Sequence, residues 1–207
     1  MHADCLLRSK RLIQFCIEKH CLFSFWNSIF GIMKTINDQT GGTVMSVEKV
    51  KQYFAEFGME DRVMEFPVSS ATVQLASQAL GCEPGRIAKT LSFLVKGKPI
   101  LILMAGDEKI DNRKFKAQFG AKAKMPAADE TESLIGHAGG GVCPFAVNEG
   151  IDIFLDESLK RLETVFPACG SSNSAIELTI KELETYSGYV SWVDVRKEQS
   201  DESSGRF

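Results

Sequence analysis

Two apolar runs, Ile87–Val95 and Pro99–Met104, are separated only by Lys96-Gly97-Lys98. Runs of that length, rich in Ile, Leu and Val and punctuated by glycine, read as a β-hairpin of buried strands. Such a hairpin has to be covered by the rest of the chain, and the flanking segments can supply the cover. Ser46–Phe57 places Val47, Val50, Tyr53, Phe54 and Phe57 at helical spacing, with Gly58 as the stop. Ser69 or Ser70 is placed to cap a second helix that runs to Leu80 and ends at Gly81. Asp111 caps a third to about Phe119, a short basic strand follows near Lys122–Met125, and a fourth helix runs from about Asp129 to Ile135. Arg62–Phe66, Ile151–Leu155 and Tyr189–Val193 read as further strands, Glu157–Leu162 as a short helix and Ile180–Tyr186 as a longer one. Thr164–Ala168 and Ala175–Leu178 read as a strand pair around a Gly-Ser-Ser-Asn turn. Helices and strands mix without regular βαβ alternation, so the expected fold class is α+β, a curved mixed β-sheet surrounded by helices.

A chain of 207 residues with 44% hydrophobic and 25% charged residues can bury such a core without disulfides or metals. Cysteine usage agrees: there is no C-x-x-C, and Cys82, Cys143 and Cys169 are scattered through the hairpin-bearing part. This pattern fits a reducing, cytoplasmic setting. His137 is the one histidine after residue 44, which argues against a His-rich metal site and weakens schemes built on imidazole.

Residues 1–44 read differently from the rest. The run Cys21–Met33 is apolar and aromatic but broken by Ser24, Asn27 and Ser28. It is shorter than the roughly 20 apolar residues that a membrane span needs, and it lacks a signal-peptide cleavage pattern. Thr40-Gly41-Gly42-Thr43 can be encoded by a sequence containing a bacterial ribosome-binding site, a short spacer ahead of Met45. The expectation is that translation starts at Met45 and that 1–44 is upstream sequence, the alternative being a true helical extension. The intact mass of the native protein decides between them. Residues 45–196 are expected to form one domain, and 197–207 a polar, disordered tail.

Chemistry concentrates in few places. Gly136-His137-Ala138-Gly139-Gly140-Gly141-Val142-Cys143-Pro144-Phe145 is the most unusual stretch. Consecutive glycines allow backbone N–H groups to converge on an anion or a carbonyl oxygen; the bland reading is a surface turn. It has neither P-loop nor Rossmann spacing. Lys89 shares a strand face with Ile87, Leu91 and Phe93, so it is either an edge lysine snorkelling to water or a cation in a pocket. Gly106-Asp107 ends the second hairpin strand, a common place for binding groups and also for an ordinary turn. Arg113, Lys114, Lys116, Lys122 and Lys124 form a basic cluster in a segment, 45–207, whose net charge is negative. They are candidates for RNA phosphates or simply a solvated face. Cys143 with His137 could make a thiol nucleophile and its base, although a lone Cys is more often a small buried hydrophobe.

The ordered set Ala79-Leu80-Gly81-Cys82, Ile87-Ala88-Lys89-Thr90-Leu91, Met104-Ala105-Gly106-Asp107, Gly139–Phe145 and Ile153-Phe154-Leu155-Asp156 resembles the YbaK/prolyl-tRNA-synthetase-associated domain family. The resemblance runs from about residue 47 to 195 and is closer to the free-standing ProXp proteins than to YbaK itself. It implies hydrolysis of mischarged aminoacyl-tRNA, most often tRNA for proline carrying a small wrong amino acid. It also implies a partner in the tRNA acceptor end, a connection to prolyl-tRNA synthetase, and no metal or cofactor. The family's invariant lysine maps to Lys89 and its Gly-x-x-x-Pro loop to Gly140–Pro144. Lys89, Gly140 and Gly141 are thereby expected to be catalytic. Ser70, Thr72, Gly106, Asp107, Gly139, Val142, Cys143, Pro144 and Phe145 are expected to bind substrate. A non-catalytic tRNA-end or nucleotide-binding module and a Cys143-dependent hydrolase remain alternatives.

Overall fold

A computed structural model describes residues 46–198, so the expectations for 1–44, for a start at Met45 and for the tail past Glu198 lie outside the described residues. The hairpin is present as β2 (Ile87–Val95) and β3 (Lys98–Ala105), antiparallel, with Val95 paired to Lys98 across a two-residue turn. β3 extends to β4 (Asp152–Asp156) and on to β8 (Ser191–Val193), both parallel contacts. On the other side, β2 meets β5 (Thr164–Pro167) in parallel, and β5 meets β7 (Leu178–Thr179) antiparallel. The resulting six-stranded mixed sheet has the order β7-β5-β2-β3-β4-β8. A separate antiparallel pair joins β1 (Val63–Glu65) to β6 (Ser174–Ile176). The expected Thr164–Ala168 and Ala175–Leu178 pair is joined at both ends, Val165 to Leu178 and Ala168 to Ala175, while β6 between those contacts also pairs with β1.

Alternation along β3 explains the layers. Leu101, Leu103 and Ala105 point into the larger core, with Val50, Phe54, Phe145 and Leu155. Ile100 and Ile102 point the other way, to Phe93, Phe115 and Val193. Helix α1 (Ser46–Ala55) covers the first face through Val47, Val50 and Phe54. Helix α3 (Asn112–Phe119) covers the second, stacking Phe115 on Phe93 and Phe119 on Phe154. Asp111 caps α3 as expected, accepting from the Arg113 and Lys114 N–H groups. Helix α2 (Val73–Leu80) is capped by Thr72 and not by Ser69 or Ser70, because the Ser70 hydroxyl is turned toward the Ser172 carbonyl at 3.1 Å. Helix α4 (Ala128–Ile135) follows an extended segment, 121–126, that is not a strand of the sheet: it makes one backbone bond to β2, from Leu94 N–H to the Lys124 carbonyl at 2.7 Å. Helix α5 (Ile180–Ser187) starts in a Thr179–Glu182 capping box.

Asp156 ties the strand ends together. Its side chain is fully buried and accepts from Ser158 N–H and Val195 N–H, each at 2.9 Å. Ser158 in turn accepts from Ala105 N–H at 3.1 Å. Replacing Asp156 by Ala strands two buried N–H donors. The expected loss is about 2–4 kcal/mol of unfolding free energy, read from urea denaturation with an unchanged m-value; a loss under about 0.5 kcal/mol contradicts the account.

Candidate active site

The β2–β5 ladder ends early. Only Ile87 and Ala88 have partners on β5. With Val95–Lys98 closing a two-residue turn, the odd-numbered residues of β2 bond to β3, and Ala88, Thr90, Ser92 and Leu94 turn their N–H and C=O groups to the opposite edge. Leu94 is engaged by Lys124. Thr90 and Ser92 are left facing a gap, and a cleft of about 490 Å³ opens there. Helix α2 forms one wall through Val73, Ala76 and Leu80, and Met125, Pro126, Ala128 and Thr131 form the other. The glycine loop closes one end with Gly139, Gly140 and Val142.

Among the described residues Lys89 is the one charged side chain in the lining, and no Asp, Glu or His contributes to it. Its ammonium does not snorkel along an edge. It donates to the carbonyls of Gly106, at 3.0 Å, and of Glu108. An ammonium has three donors, so one carries no hydrogen bond among the described residues. Burial lowers the Lys89 pKa, and the nearby Asp107 and Glu108 charges oppose that shift. Those carboxylates are taken up by Arg161, at 2.5 Å from Asp107 and 2.9 Å from Glu108. Lys89 is therefore held by main chain and forms no ion pair among the described residues.

The glycine loop is held from behind. His137 is fully buried, and burial, with a small contribution from the Lys49 charge, lowers its pKa against the opposing bond to Phe145. As a neutral ring it donates from Nε2 to the Phe145 carbonyl at 2.7 Å and accepts at Nδ1 from the Ser46 hydroxyl at 2.6 Å. This one ring joins the two ends of the loop and the start of α1. Gly140 adopts φ +85°, in the left-handed region that favours glycine. Gly141 packs so closely on the 170–171 turn that a Cβ would lie 2.6 Å from Ser171 N.

These positions sort the expected site residues. Ser70, Thr72, Lys89, Gly139, Gly140 and Val142 line one cleft. Gly141 does not offer its N–H, which donates to the Ala138 carbonyl at 3.0 Å. The N–H groups of Gly140 and Val142 carry no hydrogen bond among the described residues. Of the loop N–H groups, those of Gly140 and Val142 are left free for a ligand, and that of Gly141 is engaged. Gly106 and Asp107 sit behind Lys89 and outside the lining, as do Cys143, Pro144 and Phe145. Cys143 does lie 3.4 Å from His137 Nε2, but it is fully buried and its thiol pKa is pushed up to about 12 by burial. That is a packing cysteine with no route to a substrate. Arg113 and Lys114 line a different, shallow depression with Asp111 and Lys197, and Lys114 is paired with Asp194 and Glu198. Lys116, Lys122 and Lys124 are exposed.

Sequence reasoning missed the open β2 edge, because pairing length is not written in a strand's own residues. It also missed Thr90, whose hydroxyl is buried in the cleft wall without a partner among the described residues. Arg161 escaped notice as well, since nothing local marks its reach across the fold.

Because His137 is neutral when folded and titrates near about 6.5 when unfolded, the unfolded chain binds its proton first. The stability it secures is present above about pH 6.5 and is lost as pH falls from there toward its depressed native value. Urea midpoints followed from pH 7.5 to 5 should fall for the wild type and fall less for His137→Gln, whose amide can still donate to Phe145; equal slopes contradict the assignment.

A family profile described as "Aminoacyl-tRNA editing domain" matches residues 68–186. Protein YwhH of Bacillus subtilis (strain 168), uncharacterized, is 50% identical over 155 residues, covering 74% of this chain and 99% of that protein. The proline–tRNA ligase of Limosilactobacillus fermentum is 32% identical over 97 residues, which are 44% of this chain and 17% of the ligase. Among solved structures, a candidate trans-editing enzyme for prolyl tRNA synthetase superposes with a TM-score of 0.68 at 29% identity, over 76% of this chain and all of that one. Among the described residues no helix is long and apolar enough to cross a membrane, and no cluster of three metal-ligating side chains occurs. The chain is a member of the aminoacyl-tRNA editing domain family, the YbaK/prolyl-tRNA-synthetase-associated group that its motifs resemble.

Proposed function

We propose that this protein hydrolyses the ester that joins a wrong amino acid to the 3′ end of a tRNA, acting in trans. The substrate we favour is tRNA for proline carrying a small wrong residue: alanine, cysteine, serine or 2-aminobutyrate. The observation that carries this reading is that Lys89 and the glycine-loop residues Gly140 and Val142, whose N–H groups are unengaged, line one cleft. They are suited to a carbonyl that becomes an oxyanion.

The chemistry follows from what lines the cleft. A water oxygen attacks the ester carbonyl carbon, and the carbonyl π electrons move to oxygen. The Gly140 and Val142 N–H groups stabilise that oxyanion, and the remaining Lys89 donor assists there or holds the terminal phosphate. The intermediate collapses, the bond to the ribose oxygen breaks, and the water proton ends on that oxygen. With no carboxylate or imidazole in the lining, the water is positioned by ribose hydroxyls or main chain. The outward carbonyls of Thr90 and Ser92 on β2 are the acceptors available to the substrate α-ammonium. Such a site answers a known limit of the synthetase: a binding pocket rejects a side chain lacking one methylene by only about 1–3 kcal/mol.

Purified protein should deacylate at least one of the four mischarged tRNAs and spare prolyl-tRNA. Lys89→Ala should lower kcat/KM by about 100-fold or more with the fold intact by circular dichroism. Undiminished deacylation by Lys89→Ala would falsify the mechanism; binding of all four without turnover by the wild type favours a non-catalytic tRNA-end module.

A further inference from the structure

Part of the basic charge on this domain is neutralised at home. Arg62, Arg86, Arg161 and Arg196 each lie against a carboxylate. Another part is not, and five of its lysines come from stretches that the fold brings together. Lys96, Lys98, Lys116, Lys122 and Lys124 are all exposed, and none forms an ion pair among the described residues. They come from three separate stretches of chain, yet they are neighbours. Lys96 and Lys98 flank Gly97 at the tip of the β2–β3 hairpin. The Lys96 ammonium lies 3.6 Å from where a Cβ on Gly120 would stand, at the end of α3, and the Gly120 N–H bonds back to the Lys116 carbonyl. Lys124 is joined through its carbonyl to Leu94, two residues before Lys96.

Two further features separate this strip from an ordinary solvated face. The strip leads into the cleft, because the next residues after Lys124 are Met125 and Pro126, which form its wall; Met125 is 56% exposed. And Lys96 holds φ +51° beside Gly97 at +83°, a turn whose first position favours Asn, Asp or Gly. A lysine there is kept at a conformational cost that Asn would avoid.

We infer that this strip is the docking track for the phosphodiester backbone of the RNA whose end enters the cleft. Lys122 and Lys124 stand at the mouth, and Lys96 and Lys98 lie further out along the acceptor arm. Met125 offers an apolar contact to an unstacked base at the rim. The inference rests on the editing reading for the identity of the RNA. It reassigns the basic contact from Arg113 and Lys114 to the hairpin tip, which the sequence did not single out. An exposed strip that neutralises phosphates releases counterions, so its signature is salt dependence.

The test uses the full chain and deacylated tRNA for proline, with fluorescence anisotropy between 50 and 200 mM salt as two variants and a control are compared. Lys96→Asn/Lys98→Gln and Lys122→Gln/Lys124→Gln should each weaken binding roughly ten-fold at the low-salt end and flatten the log–log salt slope by about 1–2. Lys181→Gln, an exposed lysine on α5, should match the wild type. Lys96→Asn suits the turn better than lysine, so misfolding does not confound the hairpin variant. Hydrolysis of a 3′-aminoacyl-adenosine, which lacks phosphates, serves as internal reference: the ratio of aminoacyl-tRNA to aminoacyl-adenosine hydrolysis should fall in both variants. Unchanged tRNA affinity and slope, or parallel loss on both substrates, overturns the docking track and leaves the editing reading standing. Weakened, flattened tRNA binding in a protein that deacylates nothing supports the track and removes the editing reading.

Discussion

The parallel ladder between β2 and β5 stops after Ala88, and the rest of the site follows from that. A strand in the middle of a sheet ordinarily spends its N–H and C=O groups on both neighbours. Here Thr90 and Ser92 have a neighbour on one side only, so polar main chain is delivered to the floor of an otherwise apolar cleft. Aliphatic walls from α2 lower the polarity around the few dipoles and the single cation of the lining, which strengthens their fields. The proposed hydrolysis needs no acid–base pair, because the ester is already activated by its ribose leaving group.

Two supports keep Lys89 and the glycine loop in place. Lys89 rests on the carbonyls of the Gly106–Glu108 turn, whose carboxylates are held by Arg161. The glycine loop is braced through His137, which ties Phe145 to Ser46. A loop with three consecutive glycines would otherwise lose much conformational entropy on ordering. The buried ring and the tight seat of Gly141 remove that freedom before a substrate arrives.

Much of this was legible in the residues. The hairpin and its facing pattern, the α1 apolar stripe, the Asp111 cap and the Gly81 stop all came from periodicity and cap chemistry, which act locally. Lys89 and the glycine loop needed the ordered family motifs to stand out, since a lysine on an apolar strand or a run of glycines has an ordinary structural explanation. What could not be read was set at a distance. Thr72 displaced Ser69 and Ser70 as the cap because the Ser70 hydroxyl found the Ser172 carbonyl, 102 residues away. The strand expected around Lys122–Met125 became an extended wall with one bond to β2. Which loop N–H remained free depended on Gly141 turning back to Ala138.

The open edge of β2 would be a hazard on most proteins. An unpaired stretch of strand is a template on which a second chain can lay its own backbone, and natural sheets blunt such edges with charge, proline or brevity. This domain protects its edge by recessing it: α2 and α4 rise on either side, and the neighbouring strand positions are already taken by β5 at one end and Lys124 at the other. The gap admits a small polar group and denies entry to a long strand. The same geometry that offers hydrogen bonds to a ligand thus guards the molecule against self-association through its sheet.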